Sequence, residues 1–224
     1  MSKAFIDPEL AHVGLDSGAL TMFGAVVHRF EIPGEYRGTV RRGKVIERVF
    51  YLSVDKESAV AAADIDLAAL AKPVGDTCCA PEKEPRFAVN PRGYAVFRVS
   101  GGPGGYSVNL RRADPDEKTP VFNSTRLESG SVFSTRILRP GVYSVTNALT
   151  KARAELVVAY PPEAFSGYRP PEALRVEVSE RGFKSEKITL KAMQGLIFDC
   201  KAAARIVIQL EKPDDGPRGQ AKAK

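Results

Sequence analysis

Short runs of alternating apolar and polar residues, separated by turn signals, constrain the fold of this chain more than any other feature. A period of two places every second side chain on one face of a β-strand. Turn signals recur within residues 86–211 at a spacing of roughly 8 to 12 residues, which favours a sandwich or barrel over βαβ units. The apolar positions of the runs are Tyr106, Val108 and Leu110; Leu156, Val158 and Tyr160; Leu174, Val176 and Val178; Ile188 and Leu190; Leu196, Phe198 and Cys200; and Ile206, Ile208 and Leu210. The sequence therefore predicts a mainly β protein with a β-sandwich over residues 86–212.

The first 72 residues predict a smaller unit, a β-meander followed by one helix. Residues 21–54 are rich in β-branched and aromatic side chains and have turn signals at Pro33-Gly34 and Arg42-Gly43. Residues 56–71 change to a helical period after Asp55, a plausible N-cap. The apolar positions are Ile46, Phe50, Leu52 and Val54 in the last strand, and Val60, Ala63, Leu67 and Leu70 in the helix. The domain prediction is a unit over residues 1–72, a linker or loop over 73–85, the sandwich, and a disordered polar tail over 213–224.

Composition limits the cellular setting. The chain has 224 residues, of which 43% are apolar, and a formal net charge of +6 that permits an anionic partner. Its three cysteines, with Cys78 and Cys79 adjacent, argue against a disulfide framework. The first residues contain no export signal, and no apolar run approaches the roughly 18 residues of a spanning helix. We therefore predict a soluble cytoplasmic protein that is not integral to a membrane.

Two stretches carry a family resemblance. Residues 138–145, Leu-Arg-Pro-Gly-Val-Tyr-Ser-Val, followed by 154–158, resemble the closing strand pair of cupredoxin-like β-sandwiches. Residues 182–198, through Ile188-Thr189-Leu190, are similar to that family's opening strands. The resemblance implies a cupredoxin- or immunoglobulin-like sandwich with an N-terminal meander. Asn147 and Thr150 stand where copper ligands would be, and both histidines lie far upstream, so a copper site is not expected. We predict no metal and no cofactor.

One string suggests catalysis. Leu15-Asp16-Ser17-Gly18-Ala19 is similar to the loop of retropepsin-type aspartic proteases, in which two such loops bring two carboxylates together to share a proton. Asp16 would be the catalytic carboxylate. No second Asp-[Thr/Ser]-Gly string occurs in the chain, and a turn in which Asp16 bonds to nearby backbone amides is the competing interpretation.

The predicted meander carries a set of basic residues. Arg37, Arg41, Arg42, Lys44 and Arg48 lie around its second turn, with Tyr36 and Tyr51 nearby and Glu35 and Glu47 among them. Such a set either grips phosphates or forms a solvated strand face. Gly101–Gly105 is predicted to be a flexible hairpin tip, because a strand rather than a helix follows it.

The functional prediction is a non-catalytic binding or structural protein. Two histidines in the whole chain remove the commonest general base from most catalytic schemes. The expected partner is another protein or a second copy of this chain, bound through strand edges or loops, and a membrane is not an expected partner. Two alternatives stay open: an aspartic-protease-like hydrolase using Asp16, and a module that binds polyanions weakly through the basic residues.

Overall fold

The computed structural model describes residues 14–72, 84–114, 116–117, 119–160 and 168–214. These residues form three sheets and one short helix. In chain order the elements are β1 (Leu15–Asp16), β2 (Gly24–Arg29), β3 (Gly34–Arg42), β4 (Val45–Val54), β5 (Ala62–Asp66), α1 (Leu67–Leu70), β6 (Arg86–Val89), β7 (Tyr94–Arg98), β8 (Tyr106–Arg112), β9 (Pro120–Asn123), β10 (Val132–Arg136), β11 (Gly141–Asn147), β12 (Arg153–Val158), β13 (Leu174–Ser179), β14 (Gly182–Phe183), β15 (Lys187–Leu190), β16 (Gly195–Cys200) and β17 (Ile206–Pro213).

Two five-stranded sheets accompany one seven-stranded sheet. Sheet I has the strand order β6-β4-β3-β8-β9, and sheet II has the order β15-β12-β11-β17-β1. The third sheet, called here the shared sheet, has the order β14-β13-β16-β10-β2-β7-β5. Buried side chains from all three sheets form one hydrophobic core.

The prediction of a sandwich is wrong, because the strands follow a β-solenoid of about four turns. From β4 to β8 the chain passes alternately between sheet I and the shared sheet. Strands one turn apart therefore lie side by side and parallel, as in β4 with β6 and β5 with β7. Alternation along a strand reports one buried face, which sandwiches and solenoids have in common. It does not report the strand's neighbours.

The predicted strand faces are largely confirmed. The central side chains of the alternating runs, such as Val108, Leu156, Val178 and Phe198, are buried, whereas Tyr160, two residues beyond the end of β12, is exposed. Ile46 is an exception: it is 53% exposed because the β3–β4 ladder is irregular between Val40 and Arg41. This irregularity moves Ile46 to the opposite face from Phe50, Leu52 and Val54.

The predicted helix over 56–71 is wrong for most of its length. Residues Ala62–Asp66 form β5, in which Ala63 and Ile65 are buried, and only Leu67–Leu70 are helical. The N-cap is Asp66 rather than Asp55, and its side chain accepts hydrogen bonds from the amides of Ala68 and Ala69. Pairing with β7 determines the conformation here, because tertiary pairing overrides a helical spacing of small residues.

The strand order reveals an internal repeat. Strands β1 to β8 correspond in order to β9, β10, β11, β12, β13, β15, β16 and β17, with the same parallel or antiparallel partner in every case. We call β1–β8 the first repeat and β9–β17 the second repeat; β14 has no counterpart. Strands on both sides of 73–85 share sheets, for example β2 with β7 and β10.

Local details of the repeats agree closely. Pro33-Gly34-Glu35-Tyr36 and Pro140-Gly141-Val142-Tyr143 begin equivalent strands, and their glycines have φ of 145° and 149°. Each tyrosine hydroxyl donates a hydrogen bond to the carbonyl four residues earlier, at 2.6 Å from Tyr36 and 2.7 Å from Tyr143. Burial raises the pKa of Tyr143 to about 12, so this hydroxyl stays a donor.

The repeats exchange their first strands. β1 of the first repeat pairs with β17 of the second, while β9 of the second pairs with β8 of the first. Buried Ser17 accepts a hydrogen bond from the amide of Ile206 at 3.1 Å, and buried Ser124 accepts one from the amide of Val108 at 3.0 Å. At the centre of the shared sheet, β2 pairs antiparallel with β10. The two repeats are therefore joined both by the exchanged strands and by the shared sheet.

Candidate functional site

Asp16 lies at the end of β1 in a turn. Its Oδ1 accepts a hydrogen bond from the amide of Gly18 at 2.7 Å and one from Nε of Arg205 at 3.1 Å. Its Oδ2 accepts a third hydrogen bond from Nη2 of Arg205 at 2.8 Å. The hydrogen bonds between Arg205 and Asp16 raise the pKa of Arg205. Among the described residues the charged partner of Asp16 is a cation, whereas an aspartic protease needs a second carboxylate there.

The second repeat gives independent evidence about this position. Asn123 is the equivalent of Asp16, and its Oδ1 accepts a hydrogen bond from the amide of Thr125 at 3.0 Å, two residues later. An amide therefore forms the same turn as the carboxylate. The geometry supports a structural role for Asp16, as a turn residue and the partner of Arg205.

The five predicted basic residues divide between environments. Arg37 and Arg41 lie on the outer face of sheet I, because Tyr36, Gly38 and Val40, which alternate with them along β3, are buried.

The other three differ. Arg42 pairs with Glu47 at 2.8 Å, and its guanidinium lies over the Tyr106 ring. Lys44 is exposed in the turn between β3 and β4. Arg48 is opposite fully buried Val40, on the inner face. The five basic residues therefore do not share one face of the sheet.

Sheet pairing brings Arg37 next to basic residues that sequence reasoning did not select. Across β6, β4, β3 and β8, the directly paired residues are Arg86, Tyr51, Arg37 and Arg111, which we call the basic row. The Arg86 guanidinium lies 4.8 Å from the centre of the Tyr51 ring, and it also forms an ion pair with Glu35. Strand partners distant in sequence create this row, so no local motif could have revealed it.

The basic row contains an electrostatic conflict. Arg37 and Arg111 are directly opposite each other on neighbouring strands, where like charges are destabilising. Within the described ranges neither forms an ion pair or a side-chain hydrogen bond. Guanidinium groups present forked donors that match the oxygens of phosphate, sulfate or carboxylate. Two of them side by side can bind one such group or two successive ones.

Sheet II has an equivalent row of different character. Its directly paired residues are Lys187, Glu155, Ser144 and Gln209, in the places of Arg86, Tyr51, Arg37 and Arg111. Lys187 and Glu155 form an ion pair at 2.9 Å. Their charges cancel, so this row has no net charge, whereas the basic row has three positive charges, of which Arg86 is paired with Glu35.

The other candidate sites in the described residues lack groups suited to catalysis or metal binding. Gly101–Gly105 connects β7 in the shared sheet to β8 in sheet I, so the prediction of a hairpin tip is wrong. An open cavity of about 420 Å³ beside it is lined by Arg42, Glu47, Lys72 and residues 100–103 among others.

Burial raises the pKa of Cys200 to about 12, which makes its thiol unreactive, while Cys78 and Cys79 lie outside the described residues. No group of three metal-binding side chains occurs in the described part of the chain.

Comparison with known proteins leaves the chain without an assigned relative. The described residues contain no helix with the length and apolar character needed to cross a membrane. The cupredoxin-like relationship and the cytoplasmic location stay predictions. No protein-family model matches the sequence, and no curated protein or solved structure matches it either.

Proposed function

We propose that this chain is a non-catalytic binding protein that holds a polyanionic partner on the outer face of sheet I. The observation that carries the proposal is the basic row. It combines three arginines with a tyrosine across four neighbouring strands, and two of the arginines have no acidic partner in the described residues.

The cost of the Arg37–Arg111 contact supports a binding role. Like charges directly opposite each other destabilise a sheet by a few tenths of a kcal/mol to about 1 kcal/mol. Sheet II has the neutral residues Ser144 and Gln209 at these positions, so the fold does not require the arginines. An anion bound between them converts repulsion into attraction and displaces counterions from both partners.

The geometry favours polyanion binding over the alternative functions. The Asp16 carboxylate is held by Arg205 and a backbone amide, which leaves the hydrolase hypothesis without the second acid it needs. A protein partner or a second copy of the chain stays a prediction, and an acidic segment of such a partner would meet the same arginines.

The test is a salt-dependent binding titration. A fluorescent single-stranded oligonucleotide and a sulfated polysaccharide serve as probes of polyanion binding, measured by anisotropy over a series of salt concentrations. The double variant Arg37→Ser with Arg111→Gln installs the residues that sheet II already has. We expect binding at least about tenfold weaker and a log K against log salt slope smaller by about 2, or about 1 per lost cation.

Sheet II supplies the matched control. Lys187→Ser removes one exposed cation from the equivalent row and should leave polyanion affinity unchanged within about twofold, because one surface charge contributes little to binding elsewhere. If the double variant binds as tightly as the wild type, or if Lys187→Ser weakens binding equally, the basic row is not the binding site.

A further inference from the structure

The hairpin between β3 and β4 ends in two exposed aliphatic side chains. Val45 is 60% exposed and Ile46 is 53% exposed, and they are consecutive in the chain. The basic side chains Arg41, Arg42 and Lys44 precede them in sequence; Arg42 is paired with Glu47, and Arg41 is directly opposite Ile46 in the ladder. We call residues 41–46 the hairpin tip. It combines apolar surface with positive charge.

The irregular ladder determines where Ile46 lies. Regular alternation from Phe50, Leu52 and Val54 would place Ile46 on the buried face. The shift between Val40 and Arg41 instead puts it on the outer face, at one end of the sheet that carries the basic row. Val49 and Tyr51 follow it on the same face, both half-buried. The outer face of sheet I therefore has exposed Ile46 at one end and arginines along its length, while Val45, paired with Arg42, projects from the opposite face at the same end.

From this arrangement we infer that the polyanionic partner is an anionic lipid surface. In this arrangement the hairpin tip enters the boundary with the acyl chains end first, so that Ile46 on the outer face and Val45 on the opposite face both reach it. The arginines of the outer face then lie among the headgroups. The inference rests on the proposed function, since the arginines of the basic row supply the attraction to the surface.

Charge and apolarity together select this partner. Arginine side chains attract anionic headgroups, and exposed aliphatic side chains gain free energy only where an apolar phase accepts them. A dissolved polyanion offers charge but no such phase. Arg41 beside Ile46 can lay its aliphatic stem along the boundary and keep its guanidinium among the phosphates.

The second repeat again provides a contrast. Its hairpin between β11 and β12 turns through residues 148–152, where Leu149 is 40% exposed and Lys151 is the one basic residue. One aliphatic side chain and one cation make a weaker membrane contact than the hairpin tip of the first repeat.

The experiment is co-sedimentation of the full chain with lipid vesicles. Vesicles of phosphatidylcholine with about one third phosphatidylserine are compared with pure phosphatidylcholine. We expect binding to the anionic vesicles and not to the neutral ones. The double variant Val45→Ser with Ile46→Ser should bind anionic vesicles about tenfold more weakly or worse, while its affinity for the oligonucleotide stays unchanged. Leu149→Ser is the matched control and should leave vesicle binding unchanged.

The outcomes separate the two proposals. Binding to the oligonucleotide without binding to anionic vesicles would overturn the lipid inference and leave the proposed function standing. Binding to neither would overturn both. Vesicle binding that survives Val45→Ser with Ile46→Ser would show that charge alone holds the protein and that the hairpin tip does not enter the lipid.

Discussion

Sheets I and II have the same strand order and equivalent registers but different side chains on both faces. On the inner face, Gly38 of sheet I is paired with Phe50, whereas sheet II pairs Val145 with Ala154 at the same place. In sheet I the smaller residue of the pair is on β3 and the larger on β4. In sheet II the larger residue is on β11 and the smaller on β12. On the outer face, one row is basic and the other has no net charge. The inner face is thus constrained by the combined volume of a pair, and the outer face is free to acquire a binding surface.

The largest expected effect breaks the inner pair. A Cβ atom on Gly38 would lie 2.1 Å from the Phe50 ring, so Gly38→Val should destabilise the protein by about 3 kcal/mol. Phe50→Ala should cost about 4 kcal/mol through the cavity it leaves. The double variant copies sheet II and should recover at least about 2 kcal/mol of the summed loss. Urea unfolding of the four proteins measures this. If the loss in the double variant equals the sum of the two single losses, the combined volume of this pair is not what the two sheets have in common.

A smaller effect depends on pH. The His28 ring lies between Phe30 and Phe122, with ring centres 4.9 and 4.8 Å away, and burial lowers its pKa from 6.5 to about 4. The equivalent residue of the second repeat is Thr135, which does not titrate. Between pH 6.5 and 4 His28 is protonated in the unfolded chain but neutral in the folded protein, so stability decreases as the pH is lowered through this window, by about 2.5 kcal/mol.

The check is unfolding by urea at pH 7 and pH 4.5. His28→Gln should remove this part of the pH dependence, while Thr135→Val, which titrates nothing, should leave it in place. Equal pH dependence in the wild type and His28→Gln would mean that His28 is not the responsible group.

The smallest effect concerns the exchanged strand. Asp16→Asn keeps the turn that Asn123 already forms in the second repeat, but weakens the pairing with Arg205, which is partly exposed. We expect a loss of about 0.5 to 1 kcal/mol, and no cleavage of unstructured peptides at acidic pH by either protein. Asn123→Asp serves as the reciprocal control. Peptide cleavage by the wild type that disappears in Asp16→Asn would restore the hydrolase hypothesis.

Much of the strand content was readable from the sequence, because alternation records which side chains meet the core. The runs around Val108, Leu156 and Phe198 are strands with the predicted buried faces. The repeat also left a sequence signal, since Pro-Gly-x-Tyr occurs at Pro33 and again at Pro140. Its significance is visible only after both tyrosines are seen to bond to the carbonyl four residues before them.

The sequence did not indicate which strands pair with each other. The helical spacing of Val60, Ala63 and Leu67 was overridden by pairing of β5 with β7. The winding of the chain between sheets is a property of non-local contacts, as is the meeting of Arg37 with Arg111. The basic residues that follow Arg37 in sequence, among them Arg42 and Arg48, lie outside the row. Proximity along the chain was therefore a poor guide to proximity on the sheet.

The exchange of first strands has a consequence for biosynthesis. Translation produces β1 long before β17, yet these two strands pair, so β1 has no partner until all the strands between them have been made. Sheet I needs only β9 to finish and can close while the second repeat is still being translated. Sheet II lacks β17 until the last of these strands has been made, and during that interval β1 and β11 remain edges open to neighbouring chains. Assembly of this protein is thus ordered in time, with sheet II closing last.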